Sequence, residues 1–158
     1  QIYERGEIPL IIVLDRITDV RNFGAIARTA ECAGVHTILI PEQNSAALNA
    51  DAVKTSSGAL HKIPVCRTWN LKLSLQLIKD SGIQLVSCTE KTKEEIYNAN
   101  FTKPTAIILG SEEDGISSEF LKMSDKKIKI PINGKISSLN VSVAAGVVTY
   151  EAIRQRNQ

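Results

Sequence analysis

The sequence predicts an α/β domain with a mostly parallel sheet and helices on both faces. Short apolar runs rich in β-branched residues alternate along the chain with segments of helical periodicity. The first run, over 9–14, is continuously apolar, which is typical of a strand buried on both faces. The 158 residues are enough for one domain with one core, and a second full domain does not fit.

Five strands and two of the helices follow from local patterns. The strands are expected over 9–14, 37–40, 84–87, 105–109 and 127–130. Each is short and is followed by Pro, Gly or polar residues that end it. Helices are expected over 24–33 and 71–80, where apolar side chains recur every three to four residues.

A third helix is expected at the end of the chain, beginning after Asn140, a residue type that often caps helices. It ends with Arg154 and Arg156, whose charges favour a helix C-terminus. One face carries small apolar residues: Val141, Ala144, Ala145, Val148 and Ala152. Such a face requires another surface, either the chain's own sheet or a second subunit.

Composition argues against a membrane span and a disulfide framework. The longest apolar stretch, 8–14, is far below the ~18 residues that a membrane helix needs, and no signal-peptide pattern precedes it. The three cysteines form no CxxC pair, and we expect them to be reduced and mostly buried. These features predict a cytoplasmic protein.

Several common enzyme motifs are absent. No glycines have the spacing of the dinucleotide fingerprint, and the Gly110/Gly115 pair lacks the lysine of a phosphate-binding P-loop. The HExxH and GxSxG motifs are also missing. His36 is one of only two histidines, and we expect it to have a surface or supporting role rather than to bind a metal.

The net charge of +2 hides an asymmetry along the chain. Residues 122–158 carry seven basic and two acidic side chains, whereas 90–119 carry seven acidic and three basic ones. The basic segment either meets an anionic partner on one face or is an ordinary solvated surface.

Polar segments follow three predicted strands, at the edge where open α/β sheets bind ligands. The segment 15–24 leads into a helix that carries Arg28, and backbone amides at its start could bind an anion. The other two are the acidic turn 110–115 and the hydroxyl- and amide-rich segment 131–142. Each has a simpler explanation by itself, as a helix cap or a loop, but together they predict a site.

These segments resemble the three ordered motifs of the SpoU (TrmH-like) RNA 2′-O-ribose methyltransferases. The matching residues are N-x-G-x-x-x-R from Asn22 to Arg28, L-G-x-E-x-x-G from Leu109 to Gly115, and I-P-I…S-S-L-N-V-S-V-A from Ile130 to Ala144. The similarity spans nearly the whole chain. It is greatest to the RlmB type, which acts on a guanosine of large-subunit ribosomal RNA.

The resemblance changes the expected topology and implies a cofactor. Periodicity alone favours an unknotted sheet, because knots are rare, whereas the resemblance implies a C-terminal trefoil knot. It also implies that the second and third motifs bind S-adenosylmethionine, largely through backbone groups. The implied cofactor-binding residues are Gly110, Ile130, Leu139 and Thr89.

The resemblance further implies methyl transfer to a ribose 2′-hydroxyl, with no metal. The implied catalytic residues are Arg28, Asn22, Glu112, Ser138 and Asn140. Arg28 is expected to stabilise the developing oxyanion or to orient a phosphate, because a guanidinium stays protonated. Asn22 is expected to position Arg28 or the nucleotide, Glu112 to anchor the second motif and hold Arg28, and the others to order the third motif.

The expected organisation is a linker remnant over 1–8, from a missing N-terminal RNA-binding domain, followed by a catalytic domain over 9–158. The expected partners are RNA, most simply ribosomal, and a second copy that packs on the last helix. Transfer RNA as substrate, a non-catalytic RNA-binding paralogue, and an α/β domain that binds another phosphate-containing ligand remain as alternatives.

Overall fold

A computed structural model describes all 158 residues and contains one six-stranded sheet. The strands are β1 (Leu10–Asp15), β2 (Thr37–Pro41), β3 (Val65–Thr68), β4 (Gln84–Cys88), β5 (Thr105–Gly110) and β6 (Lys126–Ile128). Their order across the sheet is β3-β2-β1-β5-β4-β6. Every pair is parallel, which confirms the predicted fold class.

Helices cover both faces of the sheet. They are α1 (Val20–Cys32), α2 (Ala50–Thr55), α3 (Leu71–Asp80), α4 (Ser118–Met123) and α5 (Val141–Arg156), with 3-10 turns at Tyr3–Arg5, Ala59–His61 and Ile96–Asn98. The first, second and fifth helices share the larger core cluster on one face. The third and fourth helices form the smaller cluster on the other face.

The central strand explains the continuous apolar run. Leu10, Ile12 and Leu14 face the larger cluster, whereas Ile11 and Val13 face the smaller one. Because both sides of β1 are covered, no position on it can be polar until the strand ends. Its last residue pairs with the last residue of β5, so the segments that follow the two strands begin side by side.

Local patterns missed three elements and shifted two others. Strand β3 lies at the sheet edge and is only half covered, and α2 and α4 have six residues each, too few to show periodicity. Helix α1 begins at Val20, before the expected start, because Asp19 caps it by accepting from the N–H of Asn22 at 2.9 Å. Strand β6 covers Lys126–Ile128 rather than 127–130.

Helix α5 is capped by Asn140, as predicted. Its small apolar face packs inside the chain, where Ala145, Val148 and Ala152 are fully buried. The chain's own core is therefore the surface that this face meets. The helix packs on α1 and reaches β5, so the chain returns from the edge strand β6 to the middle of the sheet before α5 begins. The trefoil knot stays a prediction.

Other expectations about single residues have mixed outcomes. The prediction of mostly buried cysteines is wrong, because Cys32 and Cys66 are exposed. His36 has a supporting role, as predicted: its Nδ1 accepts from the N–H of Leu10 at 3.0 Å, and its Nε2 lies 3.1 Å from Glu7. None of the helices has the length and apolar character required to cross a membrane.

Candidate active site

A cleft of about 430 Å³ opens at the carboxyl ends of β4, β5 and β6. Three chain segments form its walls: 88–90 after β4, 109–116 after β5, and 129–139 after β6. The first turn of α5 closes it through Val141 and Ala144. Its volume lies within the range of about 300–1,000 Å³ that is usual for small-molecule sites.

The wall after β5 is a tight turn that begins at Gly110. A Cβ atom at this position would lie 2.3 Å from the carbonyl carbon of Gly115 and 2.5 Å from the N atom of Ile116, so only glycine fits. The turn closes on itself because the N–H of Gly115 donates to the carbonyl of Ser111 at 2.8 Å. A ligand in the cleft therefore meets bare backbone here.

Residues at the end of β1 hold this turn in place. Arg16 donates from Nη2 to the carbonyl of Gly115 at 3.0 Å. The buried carboxylate of Asp15 accepts from both the N–H and the hydroxyl of Ser117, at 2.7 and 2.8 Å. Arg16 adopts a φ of 59°, a conformation that costs a non-glycine residue energy. The first polar segment therefore supports the second directly.

A hydrogen-bond network joins all three predicted motifs beside the cleft. Asn140 donates from Nδ2 to Oδ1 of Asn22 at 3.1 Å and to Oε1 of Glu112 at 2.9 Å. The same Glu112 oxygen accepts from the N–H of Val141 at 3.1 Å. Residues that are far apart in sequence are thus brought together by a single amide group.

The orientation of that amide is set by the helix it caps. Oδ1 of Asn140 accepts from the N–H groups of Ser142 and Val143, at 2.9 and 3.4 Å, and from the Ser142 hydroxyl. Because the oxygen is engaged by α5, the amide NH₂ must point towards Asn22 and Glu112. The Asn140 side chain therefore caps α5 with its oxygen and bonds to Asn22 and Glu112 with its nitrogen.

Arg28 lies apart from this network. It is exposed on α1 and makes no hydrogen bond or ion pair within the chain. Glu112 bonds to Asn140 and Val141 rather than to Arg28, which differs from the expected contact. Asn22 and Arg28 are six residues apart, which places them on different sides of a helix.

The anion site expected at the start of α1 does not form as predicted. The N–H of Asn22 is taken by the Asp19 cap, and Gly24 is buried inside the helix. A Cβ at Gly24 would lie 2.7 Å from the Cβ of Thr55, so this glycine allows α1 and α2 to pack closely. Its role is therefore packing.

The residues predicted to bind a cofactor lie together. Gly110, Ile130, Leu139 and Thr89 all line the cleft, together with Glu112 and Ser138. Asn22 and Asn140 lie beside it through the network. Arg28 is the one predicted site residue that neither lines the cleft nor belongs to the network.

Sequence reasoning missed three polar residues of the cleft, Cys88, Glu90 and Lys129. Burial, with a smaller effect of the Glu90 carboxylate, raises the pKa of the Cys88 thiol to about 12. The thiol is therefore protonated at neutral pH and is not a nucleophile. The available signal was position, because all three lie at or just after the ends of predicted strands.

Comparison with known proteins gives a consistent result. Residues 9–150 match the model of the SpoU rRNA Methylase family. The chain is 41% identical over 155 residues to the 23S rRNA (guanosine-2′-O-)-methyltransferase RlmB of Vibrio parahaemolyticus, covering 98% of this chain and 63% of that protein. It is 37% identical over 149 residues to RlmB of Escherichia coli, covering 94% and 61%. The chain thus spans less than two thirds of these relatives.

Solved structures agree with the sequence comparison. The SpoU methyltransferase AviRb from Streptomyces viridochromogenes, in complex with the cofactor AdoMet, superposes with a TM-score of 0.88 at 29% identity, covering 95% of this chain and 61% of that one. The TrmH/SpoU tRNA modifying enzyme of A. aeolicus superposes with a TM-score of 0.86 at 33% identity, covering 96% and 77%.

Proposed function

Because the chain belongs to the SpoU rRNA methylase family, we propose that it transfers a methyl group from S-adenosylmethionine to the ribose 2′-hydroxyl of a guanosine in ribosomal RNA. The related RlmB proteins are named for this reaction. We propose the cytoplasm as its location, because the similar RlmB proteins are bacterial enzymes that act on ribosomal RNA.

The observation that carries the proposal is the cleft itself. Its walls combine exposed backbone at Gly110 with apolar side chains at Ile130 and Leu139. This combination suits a ligand with a flat heteroaromatic ring and several hydrogen-bonding groups. Gly110, Ile130, Leu139 and Thr89 would hold S-adenosylmethionine, which supplies an electrophilic methyl group on a sulfonium.

The protein's own task is to orient the ribose and to stabilise its oxygen as the proton leaves. A guanidinium is suited to this because its planar fork can bind a phosphate and a developing oxyanion at once. We assign this role to Arg28, which is exposed and has no partner within the chain. The final proton acceptor is not assigned.

The network around Asn140 positions the site. Asn140 joins Asn22 to Glu112 and at the same time caps α5. It therefore fixes the segment that carries Ser138 and Leu139 against the turn that carries Glu112. In this arrangement Glu112 anchors the third motif, and Asn22 links α1 to it.

We also propose a homodimer, formed through the outer face of α5 and the adjoining segment. Val143, Val147 and Tyr150 recur at helical spacing along this face and are exposed. Ile136, which precedes the helix, is 81% exposed. A second copy of the chain would cover these apolar side chains by a self-complementary contact. The small apolar face considered from sequence is already buried and is not the interface.

The first test is calorimetric titration of the chain with S-adenosylmethionine and with its demethylated product. Binding of both at a single site per chain is expected. A Leu139→Asp variant should lose binding, because it places a carboxylate against an apolar wall. Unchanged affinity in that variant, with the fold intact by circular dichroism, would contradict the placement of the cofactor.

The second test is transfer of a labelled methyl group to a large-subunit ribosomal RNA fragment, with a transfer RNA transcript as the comparison substrate. The proposal expects a 2′-O-methylated guanosine in the ribosomal fragment. Cofactor binding without transfer to either RNA would instead favour a non-catalytic paralogue.

A further inference from the structure

Trp69 is the one tryptophan of the chain, and it is placed in solvent. It is 77% exposed, more than any tyrosine or phenylalanine of the chain. A buried indole contributes strongly to stability because it removes a large apolar area from water. The fold gains almost none of this at Trp69, so the side chain is free to meet something else.

The position of Trp69 connects it to the cleft. It directly follows β3, and the carbonyl of the preceding Thr68 accepts from the N–H of Glu42 at 2.8 Å. Because all six strands are parallel, Trp69 and the cleft lie along the same carboxyl edge of the sheet. Three strand spacings separate β3 from β5, which is about 14 Å.

Two guanidinium groups lie on the edge between Trp69 and the cleft. The exposed Arg67 reaches the end of β2, where its Nη2 lies 3.5 Å from the carbonyl oxygen of Glu42. Arg16, at the end of β1, is held by its hydrogen bond to Gly115. Arg67 forms no ion pair with a carboxylate, whereas Arg16 lies 3.7 Å from Asp15. The Arg67 charge is thus available to an anion.

We propose that Trp69 is a stacking platform for a base of single-stranded RNA, with Arg67 and Arg16 contacting the phosphates between that base and the cleft. An exposed aromatic ring beside cations on one track is the arrangement that binds single-stranded nucleic acid. The choice of RNA rests on the proposed function. The contacted base lies a few nucleotides from the methylated one, so Trp69 would favour substrates with an unpaired flank.

A protein partner would use a different set of contacts. Leu73 and Leu77 are also exposed on α3, one and two helical turns beyond Trp69. They extend away from the carboxyl edge, whereas the cations lie along it. Because Trp69, Arg67, Arg16 and the cleft lie along one edge of the sheet, RNA is the favoured partner. Docking of a protein on the apolar surface of α3 is the alternative that the variants test.

Trp69 itself reports on the interaction, because no other tryptophan contributes to the emission. The intact chain is titrated with a twelve-nucleotide single-stranded RNA of mixed sequence, with the same RNA annealed to its complement, and with inorganic polyphosphate. Single-stranded RNA should quench the emission, and the other two should quench it much less. Single-stranded RNA that binds, as measured by anisotropy of a labelled strand, without quenching overturns the proposal.

Variants separate stacking from simple apolar contact. Trp69→Ala should weaken binding of the labelled single strand by about five- to 100-fold, the usual effect of losing one stacked base. Trp69→Phe should retain part of the affinity and Trp69→Leu little of it. Tyr3→Ala, which removes another exposed aromatic ring, far along the chain and bonded to Ser81, is the matched control and should bind normally.

Two further outcomes would count against the proposal. If Trp69→Leu binds RNA as the wild type does, the contact is not stacking. If Leu73→Ala and Leu77→Ala weaken RNA binding as much as Trp69→Ala, the surface is an apolar docking face rather than a base platform.

The two proposals fail in different ways. If Trp69→Ala changes neither the Michaelis constant for ribosomal RNA nor the turnover of methyl transfer, the proposed function stands and the proposed role of Trp69 is wrong. If single-stranded RNA quenches the Trp69 emission but no methyl transfer occurs, the role of Trp69 in RNA binding stands and the proposed function is wrong. S-adenosylmethionine affinity should be the same in Trp69→Ala and wild type in either case.

Discussion

At the residue scale, Gly110 and Arg28 contribute to the proposed site in opposite ways. Gly110 is required because it has no side chain, since the backbone of Gly115 and Ile116 occupies the space that a Cβ atom would fill. Arg28 is needed for what it presents, because its guanidinium is exposed and unpaired. One substitution at each residue therefore separates cofactor binding from catalysis.

Gly110→Ala should abolish or greatly weaken S-adenosylmethionine binding. The added methyl group would overlap the backbone of Gly115 and Ile116, so the whole turn must shift. Gly134→Ala is the matched control, because a Cβ there meets nothing within 4 Å. Calorimetry measures both affinities, and normal binding by Gly110→Ala would contradict the assigned wall of the cleft.

Arg28→Ala should leave S-adenosylmethionine affinity nearly unchanged while lowering methyl transfer by about 100-fold or more, as loss of one oxyanion donor does. Arg28→Lys should rescue poorly, because an ammonium lacks the planar fork. Arg21→Ala, on the same helix and also exposed, is the control. Near-normal single-turnover transfer by Arg28→Ala at saturating RNA would remove the catalytic assignment.

At the element scale, α5 is held at both ends by side chains that bond to residues distant in sequence. Asn140 at its start joins the helix to the site. Arg156 at its end donates to the carbonyls of Phe101 and Ile8 at 2.8 Å, of Pro9 at 2.9 Å and of Lys103 at 3.0 Å. The helix thereby fastens the entries to β1 and β5, the two strands whose far ends support the cleft.

Arg156→Lys should lower the free energy of unfolding by about 2–4 kcal/mol, because an ammonium cannot reach four carbonyls in this geometry and leaves some of them unpaired. Burial lowers the pKa of Arg156, because it disfavours the charged guanidinium. Arg154→Lys, on the exposed side of the same helix, should change stability much less. Urea denaturation compares the two.

The same helix gives a prediction about pH. The hydrogen bond from Arg154 lowers the pKa of the Glu151 carboxyl below its usual 4.5, and Gln155 acts in the same direction, while burial opposes them. A lowered pKa in the folded state stabilises the fold above pH 4.5, and this contribution is lost as the pH falls through the folded-state value.

Glu151→Gln should therefore reduce the dependence of the unfolding free energy on pH below 4.5, as measured by urea denaturation at several pH values. Glu119→Gln is the matched control, because Glu119 is exposed and lies 3.9 Å from Lys72. Equal pH dependence in Glu151→Gln and wild type would show that the carboxylate gains nothing from Arg154.

At the scale of the whole molecule, the exposed apolar face of α5 and the segment before it is where we expect a second subunit. Val147→Lys should produce a monomer in sedimentation at micromolar concentration, because it places a charge at the centre of that face. Leu77→Lys, at an exposed position of α3, should leave the assembly unchanged. A wild-type chain that sediments as a monomer at this concentration would contradict the dimer.

The fold class and several residues of the cleft were predictable from the sequence. The continuous apolar runs of β1 and β5 reflect burial on both faces, which leaves a direct signature in composition. Gly110, Ile130 and Leu139, which line the cleft, were assigned through the resemblance of short motifs to those of a known family. Edge strand β3 and the short helices α2 and α4 had no such signature.

Tertiary structure decided how the motifs meet. The sequence could not reveal that Asn140 bonds to both Asn22 and Glu112, or that Arg28 lies outside this network. It left open whether the small apolar face of α5 meets the chain's own core or a second subunit, and Ala145, Val148 and Ala152 prove to be buried within the chain. Local sequence patterns reflect how each residue is buried, whereas contacts between distant residues depend on the order of the strands in the sheet.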